Sequence, residues 1–182
     1  LSEQSDTRDY KFWDKSHSLK EDYRHKTKMG FSGKESEMTT DKLILILDKA
    51  IEKIEAGILK SKAKNSNIYH PYFINEVVEY NALHQSHIKP TKFIQKNLPL
   101  FLESQMHALR LAANITEAKA IYKATKSCRL YDKKLNMYKV TESLKSMPEE
   151  IGRCRVFSPG WLEHESIWLH MEYKYLLEAL KQ

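Results

Sequence analysis

The sequence predicts a mainly α-helical chain. Apolar residues recur at helical spacing in several separate windows, and no strand–helix–strand alternation appears. Only one stretch is rich in aromatic and β-branched residues. No short-period repeat is present.

Each element has its own local signal. Residues 1–38 form a polar, charge-rich N-terminal segment punctuated by Gly30 and Gly33, with a helix expected over about 14–27. Thr39, Thr40 and Asp41 suit a helix start. Leu43, Leu47, Ile51, Ile54 and Ile58 then hold helical spacing, Leu59 widens the stripe, and Lys42, Lys49, Glu52, Lys53 and Glu55 occupy the other side. Residues 68–81 carry Tyr69, Tyr72, Phe73, Ile74, Val77, Val78 and Tyr80, and read as an extended segment or short strand. Residues 84–97 read as a loop around Pro90. A helix is expected to begin near Pro99, a good first-turn residue, and to run through Leu111. Thr116 can cap a further helix, Glu117–Ser127, burying Ala120, Ile121 and Ala124. Residues 130–157 read as irregular, Ser158-Pro159-Gly160 as a turn, and about 163–181 as the last helix. Connections this long on an α scaffold more often build a site than decorate one.

Composition narrows the classes. Hydrophobic residues make up 41% of the 182, too many for a fully disordered chain. No apolar run is long enough to span a bilayer, so no membrane partner is expected. The formal net charge of +6 is mild and unclustered, which argues against nucleic acid as a partner. Two cysteines, Cys128 and Cys154, make neither a disulfide framework nor a four-ligand zinc site, and a reducing, cytoplasmic setting is expected. The chain opens on Leu1 and stops at Gln182 straight after a strongly helical run. A single partial domain, cut from a longer protein, is the expectation for 1–182.

The most informative stretch is Glu150-Ile151-Gly152-Arg153, followed by Ser158-Pro159-Gly160-Trp161-Leu162-Glu163-His164-Glu165-Ser166-Ile167-Trp168-Leu169-His170. A turn feeds into a helix start, whose unpaired N–H groups attract anions. If the helix includes Glu163, then Glu163, Ser166 and His170 share one face, and Trp161, His164, Trp168, Met171 and Tyr175 line another. Glu accepts from sugar hydroxyls and His donates to phosphate oxygens, so this face suits a sugar beside an anion. The same residues also fit a capped helix with core aromatics and solvated Glu and His. His164-Glu165 resembles the start of a metalloprotease helix, but the next histidine, His170, stands six residues on rather than four, so no metal is expected. Trp13, Tyr69, Tyr72, Phe73, Tyr80, Tyr131, Tyr138, Phe157 and Trp161 are spread through the irregular parts. They fit either a carbohydrate cleft or the anchoring of loops on a core.

Residues 150–172 resemble a stretch of the cellobiose phosphorylase family of the glycoside hydrolases. There an Ile-Gly-Glu/Arg and a Pro-Gly precede Glu-Asn-small-small-Ile/Val-aromatic-x-His. Glu103-Ser104-Gln105-Met106-His107-Ala108 resembles that family's Asn-x-Gln-x-Trp-Ala helix. The likeness covers residues 98–180 well and 10–97 loosely. It implies part of an (α/α)6 toroid, six helical hairpins around a sugar cleft. It also implies phosphorolysis, or hydrolysis, of β-glycosidic bonds in oligosaccharides by the full-length parent. Inorganic phosphate would be the co-substrate and no cofactor is needed. Phosphate is itself an anionic nucleophile, so such a site needs a general acid and donors for phosphate rather than a second carboxylate to activate water.

The resemblance makes His170 and, more weakly, Arg153 phosphate-binding, and Glu163 part of the cleft wall; Trp161 and Trp168 would contact the substrate. His164 stands where the family has Asn, Glu165-Ser166 where it has a small pair, and Glu103 and His107 where it has Asn and Trp. The family's general-acid Asp, in an Asp-Trp-Asn-Asp motif, is not found here; Phe12-Trp13-Asp14 is only an echo of it. The catalytic residue is therefore unknown, the chain alone is expected to be inactive, and the rest of the parent chain is an expected partner. The alternative is a non-enzymatic helical interaction module that uses the aromatics around Trp161 and Trp168.

Overall fold

The computed structural model describes residues 8–63, 66–84 and 87–182, with residues 8–13 described by their backbone alone. The Phe12-Trp13-Asp14 echo therefore falls largely outside the described side chains. In order, the elements are β1 (Arg8–Asp9), α1 (Tyr10–Thr27), α2 (Thr40–Ser61), β2 (Phe73–Ala82), β3 (Ile88–Asn97), α3 (Leu102–Arg110), α4 (Ile115–Ser127), β4 (Tyr131–Asp132), β5 (Met137–Tyr138) and α5 (Leu169–Lys181). Two short 3-10 turns, Glu149–Ile151 and Arg153–Arg155, precede α5.

This is not a mainly-α toroid. Among the described residues 47% are helical and 18% are in strands, and two small antiparallel sheets beside five helices make the fold mixed α/β. Two ten-residue strands cause the difference. The extended reading of 68–81 captures β2, but 88–97, expected as loop, is β3. The sheet order is β1-β3-β2, and β1 meets β3 only at Arg8↔Phe93 and Asp9↔Lys92. Pro90 lies beyond that two-residue pairing, where among the described residues one side of β3 has no strand neighbour and a missing N–H is tolerated. Lys92 pairs with Glu79 at 2.9 Å and Lys96 with Glu76, so opposite charges tie β2 and β3 where apolar alternation is weak.

The chain divides into two compact units, one of residues up to Lys53 and Phe73–Lys96, the other Ile54–Tyr72 and Asn97–Gln182. The first holds β1, α1, β2, β3 and the start of α2. Thr39 caps α2 as expected, its Oγ1 accepting from the Lys42 N–H at 3.3 Å. No residue of α2 is buried: Leu43, Ile44, Leu45, Ile46 and Leu47 are each about half exposed. Among the described residues, no helix is long and apolar enough to cross a membrane.

The second unit carries the larger core. Leu102, Met106 and Leu109 of α3 meet Ala118 and Ile121 of α4, Leu130, Tyr138 and, from α5, Tyr175. Leu102, Met106 and Leu109 recur at the i, i+4, i+7 spacing of a single helical face. Gln105 is fully buried on the same face. Its amide donates to the Tyr69 carbonyl at 2.7 Å and its oxygen accepts from the Tyr69 N–H at 3.2 Å, so both ends are satisfied by one backbone residue. α3 starts at Leu102 behind an N-cap Phe101, so Pro99 precedes the helix rather than opening it. Asn114, not Thr116, caps α4: its Oδ1 accepts from the Glu117 N–H at 2.9 Å, while the Glu117 carboxylate accepts from the Ala113 N–H at 3.0 Å.

The segment 138–142 joins these helices to the loop before α5. The Leu102 N–H donates to the Val140 carbonyl and the Glu142 N–H to the Leu100 carbonyl, each at 2.9 Å. On the other side the Val140 N–H donates to the Ser166 carbonyl at 2.8 Å. Buried Glu172 of α5 accepts from the Tyr138 N–H at 2.9 Å.

Two predictions follow from this core. Leu102→Ala, at a position with no exposure, should cost roughly 2–5 kcal/mol in urea denaturation. The second concerns two tyrosines whose rings meet at a tilt. The Tyr138 and Tyr175 rings lie 4.7 Å apart, and their buried hydroxyls lack a hydrogen bond of ordinary geometry. Burial pushes Tyr175 up to about 12 and Tyr138 upward as well, against 10.0 for a free tyrosine. The native state holds these protons more tightly than the unfolded chain does, so stability is lost as pH climbs past about 10. Tyrosinate absorbance should show these two ionising last, together with loss of the helical circular dichroism signal.

Candidate functional site

α5 begins at Leu169, not near 163, and this rearranges the expected site. Leu162 and Glu165 have φ of 47° and 53°, left-handed values that a right-handed helix cannot contain. The backbone of 160–166 is instead tied partly within its own loop and partly to Thr141. The Gly160 N–H donates to the His164 carbonyl at 2.7 Å, and Thr141 Oγ1 donates to the Glu163 carbonyl at 2.6 Å. Thr141 Oγ1 also accepts from the Glu165 N–H at 3.2 Å, and the Ser166 hydroxyl donates to the Leu162 carbonyl. The helical faces expected for Glu163, Ser166 and His170, and for Trp161, His164, Trp168, Met171 and Tyr175, therefore do not form.

The structure does bring two of the expected residues together. Trp168 and His170 stack with ring centroids 5.3 Å apart and planes inclined by 29°. With Ile167, Leu169 and Tyr173 they line a broad, open depression at the start of α5. Trp168 is the N-cap residue, and no side chain caps the first turn. Trp168 is half-buried and His170 exposed, so the imidazole is available at the rim while the indole is held.

The other three residues lie elsewhere. Glu163 is half-buried with its Oε2 3.8 Å from the Cys154 Sγ, and it does not line the depression. Trp161 is 60% exposed and packs edge-on against Phe157 at 5.1 Å. Arg153 is exposed in the second 3-10 turn, straight after Gly152, whose φ of 86° favours glycine. The Cys154 thiol is pushed up, first by burial and then by the Glu163 carboxylate. That makes it a poor nucleophile.

A second, smaller hollow is lined by Pro71, Tyr72, Glu103, Ser104 and His107. It contains the Glu103 and His107 that stand where the resemblance expects Asn and Trp. Tyr72 rests edge-on against Phe101 at 4.9 Å.

His164 is also placed differently from its expected helical face. It is 1% exposed and sits at the centre of the 157–166 loop. Its Nδ1 lies 2.5 Å from the Phe157 carbonyl oxygen and its Nε2 lies 3.3 Å from the Ser143 Oγ. A carbonyl only accepts, so Nδ1 carries the proton and Nε2 is left as an acceptor. Beside it, burial would raise Glu165, but hydrogen bonds from Lys139 and Ser143 outweigh that and hold its carboxyl below the ordinary value. Lys139 Nζ lies 2.9 Å from Glu165 Oε2. Among the described residues, no group of three acidic, His or Cys side chains could hold a metal ion. No periodicity could have shown His164 turning inward, because the cause is two left-handed backbone positions that no glycine marks.

No protein family, no curated protein and no solved structure matches this chain.

His164→Ala should remove both ring hydrogen bonds and leave a void, costing roughly 2–4 kcal/mol. Glu163→Gln, at a half-buried edge, should cost less than about 1 kcal/mol. Urea denaturation of the two variants side by side checks the contrast.

Proposed function

We propose that this chain is the sugar- and phosphate-recognising part of a carbohydrate-active protein that resembles cellobiose phosphorylases and splits β-glycosidic bonds. The single observation that carries the reading is the Trp168–His170 depression with Tyr173 on its wall. A sugar ring presents a face of C–H groups that packs on an aromatic plane, and a rim imidazole can donate to an anionic oxygen. No side chain caps the first turn of α5, which leaves its leading N–H groups as further donors near His170. The motif-level likeness of residues 150–172 supports the same chemistry. In this reading His170 faces phosphate and Trp168 faces the sugar. Arg153, Glu163 and Trp161 stand outside the depression and are not assigned a contact in it.

The reaction class is phosphorolysis, with hydrolysis as its near neighbour. Inorganic phosphate is the attacking group, and the acid that protonates the leaving oxygen is not among the residues of this chain that match the motif. The chain's share is therefore binding and orientation.

A second reading, a protein-interaction module, has an observation of its own. α2 leaves its apolar residues uncovered over its whole length. Exposed apolar surface of that extent marks association.

Titration with cellobiose in phosphate buffer tests the first reading. Tryptophan fluorescence should change with millimolar affinity, and Trp168→Ala should abolish the change. His170→Ala should remove the dependence on phosphate and keep the sugar response. No glucose phosphate should accumulate. A fluorescence response that survives Trp168→Ala, or no response to any β-glucoside, would overturn the reading.

A further inference from the structure

The cluster Ser143, His164, Glu165 and Lys139 takes no part in the depression described above. Ser143 is exposed, whereas His164 behind it is buried. The tautomer is fixed by the Phe157 carbonyl, so the Nε2 lone pair faces the Ser143 hydroxyl at 3.3 Å. Glu165 Oε1 lies 3.8 Å from the same Nε2, and its carboxylate also takes a hydrogen bond from Ser143. The Ser143 proton therefore has two acceptors side by side. Lys139 holds Glu165 Oε2, which keeps the carboxylate in place. The two left-handed residues, Leu162 and Glu165, bracket His164 and hold the imidazole at this spot at a backbone cost, as strained positions do at functional sites. A hydroxyl in solvent, a buried base behind it, a carbonyl orienting the base and a carboxylate beside it are the parts of an activated nucleophile.

We infer that Ser143 is an activated hydroxyl that accepts acyl groups from small esters, with His164 as its base. In the step, Ser143 Oγ bonds to the ester carbonyl carbon and its proton moves to His164 Nε2. The bond to the leaving alkoxide then breaks, and the alkoxide takes that proton and departs as the alcohol. The product is acyl-Ser143 with His164 neutral again. Glu165 stabilises the transient imidazolium and stays ionised throughout.

The full chain is treated with p-nitrophenyl acetate, and separately with a fluorophosphonate, and the modified peptides are mapped by mass spectrometry. Ser143 should be the main site for both probes, and Ser143→Ala should remove that label. His164→Gln should slow labelling about 100-fold while circular dichroism still reports folded protein. Because His164→Gln removes a core group, Ser143→Cys gives an independent arm. Its new thiol should react with iodoacetamide at least about ten-fold faster than Cys128 and Cys154, both of which burial pushes toward the unreactive thiol. Labels spread over other serines, an unchanged rate in folded His164→Gln, or a Ser143→Cys thiol no faster than the native two would overturn the inference.

Discussion

The second unit depends on the short run from Tyr138 to Glu142. Its backbone is shared between α3 on one side and the loop before α5 on the other. Leu100 and Leu102 bond to it from one direction, Ser166 from the opposite one, and the Thr141 hydroxyl reaches both Glu163 and Glu165. Glu172 secures the Tyr138 N–H from within α5. A buried polar backbone must find partners, and here one five-residue run supplies them to three separate pieces of chain. The position of α5, and so of Trp168 and His170, is set by these bonds as much as by the apolar contacts of Tyr175.

The parts of the fold legible in the sequence are those governed by neighbours within one or two turns. α2 and α4 announce themselves by spacing and by small polar caps, although the cap of α4 proves to be Asn114 and not Thr116, and α1, expected from about residue 14, begins at Tyr10. β2 is legible because aromatic and β-branched residues crowd into it. β3 is not, because it contains Pro90, lacks apolar alternation and is held by lysines that meet glutamates on another strand. The information for β3 is in its partner. The toroid implied by the resemblance fails on the same residues, since 73–82 and 88–97 form strands.

The candidate site was legible in a similar way. Trp168 and His170, two residues apart, come together as local geometry allows. Glu163 does not join them, because a helix through 163–170 would need backbone angles that Leu162 and Glu165 do not adopt. His164 is the clearest case of a residue whose role is decided from outside its own segment. Its ring is gripped by the Phe157 carbonyl across a loop and by Ser143, twenty-one residues away in the chain.

α2 has a further consequence for how the chain is made. Synthesis runs from the N-terminus, so Leu43–Leu47 leave the ribosome before the residues that build the core of the second unit exist. Five consecutive apolar side chains, each about half open to water even in the finished fold, form a sticky segment during that interval. The lysines at 42, 49, 53 and 60 then act as flanking charges that slow self-association of nascent copies.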